Sequence, residues 1–234
     1  VQVAEALEYI KEQQGIYALV IRKGTFEEYT LQRVENDEST LSREEAIQAV
    51  GTHLKQDDVV VSTTGMISRE LYEYRDALFQ GHQADFLTVG SMGHASQIAL
   101  SIALQHPERR VFIFDGDGAM LMHMGSMAII GDYCLPNLVH IVFNNGAHDS
   151  VGGQPTVANR INLNLIAEAV GYAYTTTVDT VKGIDDAFEK LNAQDRQGTA
   201  FIHIKVRKGH RSDLGRPKTT PIENKEAFMR NLGL

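Results

Sequence analysis

Between Arg110 and Thr156 the chain reads RVFIFDGDGAMLMHMGSMAIIGDYCLPNLVHIVFNNGAHDSVGGQPT. An apolar run, Val111 to Phe114, meets a polar Gly-rich turn, Asp115-Gly116-Asp117-Gly118. A methionine-rich segment of helical length follows, and a second apolar run, Leu138 to Phe143, ends in Asn144-Asn145. Strand, tight turn, helix, strand and polar tip make a βαβ unit. Its two strands must run parallel, so both polar tips emerge at one edge of the sheet.

The rest of the chain repeats that alternation. Apolar runs fall at Val59 to Val61, Phe86 to Val89, Tyr172 to Thr176 and Ala200 to Val206, besides the two above. Helical patterns lie between them around 68–79, 93–105, 120–132, 162–170 and 181–193. Six strands separated by helices predict a doubly wound, six-stranded parallel sheet with helices on both faces. Ser42-Arg43-Glu44-Glu45 is a capping-box pattern that opens a helix to about Leu54, and Thr220-Pro221-Ile222-Glu223 caps a last short one. Upstream, Val1 to Gln14 is helical in pattern, with Gly15 as its stop and Ile16 to Ile21 as a short strand that needs a sheet to join. Lys23 to Thr40 is acidic and aperiodic, and reads as an interdomain linker.

The tips carry the chemistry. One offers an acid and the other two amides, hard oxygen donors of the kind Mg²⁺ or Ca²⁺ takes. The glycines let backbone N–H groups approach a phosphate closely. Gly116-Asp117-Gly118 alone is an ordinary turn sequence. Followed by Asn144-Asn145 after 25 intervening residues, between two apolar runs, it is far more specific. The pair resembles the signature of thiamine-diphosphate enzymes, in which GDG and NN hold the metal that clamps the cofactor's diphosphate. The flanking text DGDGAMLMHMGSMAIIG and FNNGAHDSVGGQPT is similar to the phosphonopyruvate decarboxylases, with the sulfopyruvate decarboxylases as nearest relatives.

That resemblance implies a thiamine-diphosphate-binding fold and a set of roles. Asp117, the side-chain oxygen of Asn145 and the backbone carbonyl of Ala147 would hold Mg²⁺, while Asn144 steadies the turn. A turn aspartate or helix N-cap is the plainer account of Asp117. Gly116, Gly118 and Ala119 would line the diphosphate, the last two through backbone N–H groups. Thr64 and Gly65 would add donors, unless the hydroxyls there merely cap the next helix through Ser68. In Gly90-Ser91-Met92-Gly93-His94 the Gly90 carbonyl and Met92 N–H would hold the aminopyrimidine, with the Met92 side chain wedged beneath the cofactor. Met120, Met122, Met124 and Met127 read as core packing. His94 and His148 are candidate catalytic groups at the substrate, although most histidines are simply satisfied side chains. His123 reads as a packing or surface residue. Arg69 is a candidate for steering an anionic substrate, with a surface arginine as the other account.

Composition bounds the rest. Of 234 residues 43% are hydrophobic, enough for one full core. A net charge of -8 argues against a general nucleic-acid or anionic-membrane surface. The single cysteine, Cys134, excludes an intramolecular disulfide framework and fits a reducing cytoplasm. No apolar run of membrane-spanning length and no basic-then-apolar leader is present. The expected organisation is 1–24 as the end of a pyrimidine-binding domain, 25–41 as linker and 42–234 as the pyrophosphate-binding domain. The resemblance implies decarboxylation of phosphonopyruvate, a small 2-oxo acid, to phosphonoacetaldehyde and CO₂, or of sulfopyruvate as the alternative. It also implies a partner pyrimidine domain or subunit that supplies the missing glutamate, within a homo-oligomer. The chain is expected to be a fragment or one subunit, and a non-catalytic cofactor-binding half is a further reading. A dinucleotide-binding domain ranks last, because no G-x-G-x-x-G follows any strand.

Overall fold

A computed structural model describes residues 2–22, 24–27, 29, 39–193 and 197–234. The chain divides into two compact units, Val1–Val34 and Glu35–Leu234. The expected linker over 25–41 falls largely outside the described residues.

In the first unit α1 (Gln2–Gln13) forms as its spacing predicts. Ile16 to Ile21 does not become a strand. Among the described residues no neighbouring strand pairs with it, and Ile16 and Val20 stand almost fully exposed. An isolated strand leaves its backbone groups to water and gains nothing from being extended.

The second unit runs α2 (Arg43–Thr52), β1 (Val59–Ser62), α3 (Met66–Ala77), β2 (Asp85–Leu87), α4 (Ala95–Gln105) and β3 (Val111–Gly116). There follow α5 (Asp117–Met122), α6 (Ser126–Tyr133), β4 (Leu138–Asn144) and a small antiparallel pair, β5 (Ala147–His148) with β6 (Gln154–Pro155). It ends with α7 (Leu163–Ala169), β7 (Tyr174–Val178), α8 (Val181–Ala193), β8 (Ala200–Lys205) and α9 (Pro221–Asn231). The main sheet has six parallel strands in the order β2-β1-β3-β4-β8-β7. Both predicted capping boxes are present, at Ser42 with Glu45 and at Thr220 with Glu223.

The apolar runs are continuous because both sheet faces are covered. Along β3, Phe112 and Phe114 point into one core with Ile47 of α2, Leu71 of α3 and Phe188 of α8. Val111 and Ile113 point into the other with Ala99 of α4, Ile130 of α6 and Phe228 of α9. The single helix expected over 120–132 is broken between Met122 and Ser126. The departure is at His123, whose backbone leaves the helical region (φ -131, ψ 42), while Gly125 keeps a right-handed helical conformation and starts the next helix. Only Met120 and Met127 are core; Met122 and Met124 are exposed, against the expectation that all four pack inside. Among the described residues no helix is long and apolar enough to cross a membrane.

The edge strand β2 has only three residues, and α9 closes its open side. Asn224 donates from Nδ2 to the Asp85 carbonyl and accepts the Leu87 N–H, each at 3.0 Å. Its amide thus stands in for a neighbouring strand. On α3, Arg75 forks onto the buried Asp85 carboxylate with two 3.0 Å contacts. Asn224→Ala leaves two buried backbone groups unpaired and should cost about 1–3 kcal/mol. A thermal melt should then fall by several degrees, and an unchanged melting temperature would remove Asn224 from this role.

Candidate active site

Strand order locates the crevice. From β1 the chain moves outward to β2, then returns to β3 on the other side of β1. Ligands of open parallel sheets sit outside the carboxyl ends of the strands at such a reversal. The segments Thr63–Gly65 and Asp117–Ala119 leave β1 and β3 at that point.

The tip of β4 joins them. Register sets Gly116 opposite Phe143, so the next residues of both strands emerge together. Asp117 is almost fully buried, and its carboxylate accepts hydrogen bonds from the Thr156 hydroxyl and the Asn145 main-chain N–H. Burial pushes its carboxyl up to about 6, against those hydrogen bonds and nearby His148, which pull it down. A buried acid held this way suits a bound cation, which would restore the carboxylate.

Asn145 donates from Nδ2 to Asp149 Oδ2 at 2.7 Å and accepts the Ala147 N–H on Oδ1 at 3.0 Å. A carboxylate accepts only, so Asp149 fixes which end of the amide is oxygen. Asn144 steadies the turn as expected. Its Oδ1 accepts the Gly146 N–H, and its Nδ2 reaches Asn159 and His203.

One cleft gathers Thr64, Met92, Gly116, Asp117, Gly118, Ala119, Asn145, Ala147 and His148 from the expected set. Gly118 is required by close approach: a Cβ there would lie 2.6 Å from His148 Nδ1 and 3.3 Å from the Met92 methyl. Gly65, Gly90, Ser91 and His94 do not line this cleft. The Gly90 N–H reaches Thr64 Oγ1 at 3.3 Å, and Gly65 lies beside Ser150, so both stand at its margin. His94 directs Nδ1 to the Ser91 carbonyl at 3.1 Å and sets its ring 4.3 Å from that of His123. His123 ends α5 on the surface. Ser68 donates to the Thr63 carbonyl at 2.6 Å rather than capping α3 from its N-cap.

The donors fit a metal-bound diphosphate. Thr63 is buried in the cleft wall and its hydroxyl has no partner, an orphan that a phosphate oxygen would satisfy. Gly116, the N-cap of α5, has no side chain to cap the helix, and the Asp117 N–H turns to its own carboxylate, which leaves the Gly118 and Ala119 N–H groups for an acceptor. Among the described residues no group of three or more His, Cys, Asp or Glu side chains could hold a metal. A cation bound here would rely on one acid, neutral oxygens and its ligand's oxygens, the regime of Mg²⁺.

Sequence reasoning passed over Thr63, Thr156, Arg43, Glu70 and Asp149. Arg43 is buried, forks onto Glu70 at 2.8 and 2.9 Å, and reaches Asp149 at 3.3 Å. Its capping-box context gave a sufficient account of Ser42 and Glu45 and hid the arginine between them. Glu70 is a buried acid on an amphipathic helix, on the same buried face as Ile67 and Leu71. Thr156 and Asp149 lay within the quoted loop, and nothing local marked them.

Fold and cleft define the class: a doubly wound α/β domain with an acid, an amide and uncapped backbone donors at its switch point. Residues 63–204 match the family described as thiamine pyrophosphate enzyme, C-terminal TPP binding domain. The chain belongs to that family. It is 40% identical over 183 residues to a phosphonopyruvate decarboxylase of Streptomyces viridochromogenes, covering 78% of this chain and 44% of that protein. It is 36% identical over 171 residues to sulfopyruvate decarboxylase subunit beta of Methanothermobacter thermautotrophicus, covering 73% of this chain and 84% of the subunit. The chain thus spans less than half the length of the phosphonopyruvate decarboxylase. Benzoylformate decarboxylase from Polynucleobacter necessarius shares the fold at a TM-score of 0.59 and 16% identity, over 78% of this chain and 36% of that one.

Folding raises Asp117 above its ordinary value of 3.8, so the stabilisation its protonated form gives is full below that pH. It is lost as pH rises through about 6. A cation needs the carboxylate, so the dependence on pH reverses when metal binds. Mn²⁺ affinity in the presence of thiamine diphosphate should weaken about tenfold per pH unit below pH 6. Asp117→Asn should remove both the affinity and the slope. A calorimetric titration giving a flat profile for the unmodified chain would take Asp117 out of the metal shell.

Proposed function

We propose that this chain carries the diphosphate-binding half of a Mg²⁺- and thiamine-diphosphate-dependent 2-oxo acid decarboxylase, a carbon–carbon lyase, with phosphonopyruvate as substrate. The observation that carries it is the bond from the Asn145 main chain to the Asp117 carboxylate, which sets acid and amide side by side. Asp117, Asn145 Oδ1 and the Ala147 carbonyl would hold Mg²⁺. Thr64, Gly65, Gly116, Gly118 and Ala119 would surround the diphosphate, with the Thr63 hydroxyl as an added donor. Gly90 and Ser91 belong to the aminopyrimidine turn, and Met92 would press on the cofactor from below. Bound thiamine diphosphate supplies the electron sink that lets CO₂ leave a 2-oxo acid.

His148 is the better placed of the two histidines, being in the cleft over Gly118, and would border the reacting carbon. His94 would act only if the aminopyrimidine turn swings it inward. The buried Arg43–Glu70 pair holds Asp149, which keeps the Asn145 amide oriented.

Residues 1–24 are proposed as the end of a pyrimidine-binding domain and 42–234 as the pyrophosphate domain. A complete site would then need a pyrimidine domain from the same or another chain, in a homo-oligomer or a two-subunit enzyme. A cytoplasmic setting suits the free Cys134. The reading as a sulfopyruvate decarboxylase beta-type subunit is favoured by one observation, that the chain covers 84% of such a subunit.

Purified residues 1–234 should release negligible CO₂ from phosphonopyruvate with Mg²⁺ and thiamine diphosphate. Supplied with its pyrimidine domain, the same mixture should yield phosphonoacetaldehyde, detected by ³¹P NMR. Faster turnover of sulfopyruvate would favour the second substrate, and no CO₂ from either would end the decarboxylase reading. In the assembled enzyme Asp117→Ala should lower kcat/KM by at least about 100-fold, since a metal-held diphosphate fixes the cofactor. A loss of less than about tenfold would count against that role.

A further inference from the structure

A second hollow opens beside the cofactor cleft at the same sheet edge. Thr64 belongs to the walls of both. Arg69, on the first turn of α3, and Arg216, on the segment leading into α9, line this hollow together with Thr88, Thr219 and Asn224. No aspartate or glutamate contributes to its wall. That is unexpected in a chain with a net charge of -8, in which four other arginines are claimed by carboxylates. Arg43 pairs with Glu70, Arg75 with Asp85, Arg110 with Asp58 and Arg211 with Glu44. Arg69 and Arg216 have no ion pair or hydrogen bond among the described residues. Two guanidinium groups facing one hollow repel each other unless an anion lies between them.

Arg216 is exposed, yet the backbone that carries it is tied down on both sides. The Gly215 N–H donates to Glu73 Oε1 at 2.7 Å, and Lys218 Nζ pairs with Asp76 Oδ2 at 2.7 Å. Arg69, Glu73 and Asp76 stand at i, i+4 and i+7 of α3, on one helical face. The two tethers therefore lay the Arg216 segment along the face that presents Arg69. Asn224 fastens the start of α9 to β2 and holds the other end of that segment. The helix N-terminus under Arg69 has no side-chain cap, with Gly65 as its N-cap, which adds to the positive potential.

We propose that Arg69 and Arg216 together receive the tetrahedral oxyanion, phosphonate by first choice, on C3 of the 2-oxo acid, and so decide which 2-oxo acid the enzyme takes. A guanidinium fork matches two oxygens of such a group, and a second fork in the same hollow matches its remaining charge. The substrate assignment rests on the decarboxylase reading; the anion site itself does not.

The test uses the assembled enzyme with Arg69→Gln, Arg216→Gln and the double variant. The ratio of kcat/KM for phosphonopyruvate to that for pyruvate should fall about tenfold or more in each single variant. The double variant should lose about 100-fold, chiefly through KM, with partial recovery in Arg69→Lys. A ratio unchanged within about twofold in the double variant would overturn the proposal. A ³¹P NMR titration with phosphonoacetate supplies an arm that needs no turnover: saturable binding to the unmodified enzyme should disappear in the double variant. Binding that persists there also overturns it, and tighter binding of inorganic phosphate than of phosphonoacetate overturns the substrate assignment. Sulfoacetate binding more tightly than phosphonoacetate moves the first choice to a sulfonate. If the unmodified enzyme decarboxylates no 2-oxo acid, the decarboxylase reading falls, while the titration still decides the two arginines.

Discussion

Parallel pairing between β3 and β4 sets Gly116 against Phe143 and thereby brings Asp117 next to Asn145. Everything in the cleft depends on that register. A slip of one residue would reverse which side chains of β4 face each core, and would carry Asn145 away from the acid. The two cores prevent the slip. Phe114, Ile141 and Phe143 fill one face, and Ile113 and Val142 fill the other. Each full-sized apolar side chain buried there contributes about 1.5–3 kcal/mol. The cost of moving the strand is therefore many times the cost of holding one acid out of water.

The acid is nevertheless uncomfortable. Its neutral hydrogen-bond donors offset only part of the burial penalty, which is why its carboxyl is pushed up to about 6. Strain of this kind is expected where a charged ligand completes the structure. The loop after Asn145 shows the complementary arrangement. Asp149 takes the Asn145 amide, the Gly209 N–H and Arg43 on one oxygen, so the loop, α2 and the C-terminal tail meet at a single carboxylate. Breaking one partner of a buried, paired charge is costly because it leaves the others unmatched. The amide's orientation is thus set by groups distant in the chain.

Much of this was legible beforehand. The strand runs at 59–61, 111–114 and 138–143 appear because a strand covered on both faces must be apolar throughout. Asp117 and Asn145 were legible because polar tips after such strands have few places to go. Other features were not. Ile16 to Ile21 reads like a strand, but strand formation is decided by a neighbour that the local sequence does not contain. The helix over 120–132 reads as continuous because periodicity tolerates one glycine, and the break appears only in the folded chain. Arg43, Glu70 and Asp149 are ordinary charges on paper. The burial of Arg43 and Glu70 follows from α2 and α3 packing over the same face of the sheet, and Asp149 reaches Arg43 from a loop more than a hundred residues away.

The sequence by itself determined the class of fold and the pairing of an acid with an amide, since hydrophobic period and spacing are local properties of the chain. Tertiary structure decided how that acid is held, which end of the amide faces Asp149, and which arginines remain without a carboxylate. Those outcomes depend on contacts between residues as far apart as Arg43 and Asp149 or Gly215 and Glu73. Burial and pairing are properties of a three-dimensional neighbourhood, and no stretch of sequence carries its own neighbourhood with it.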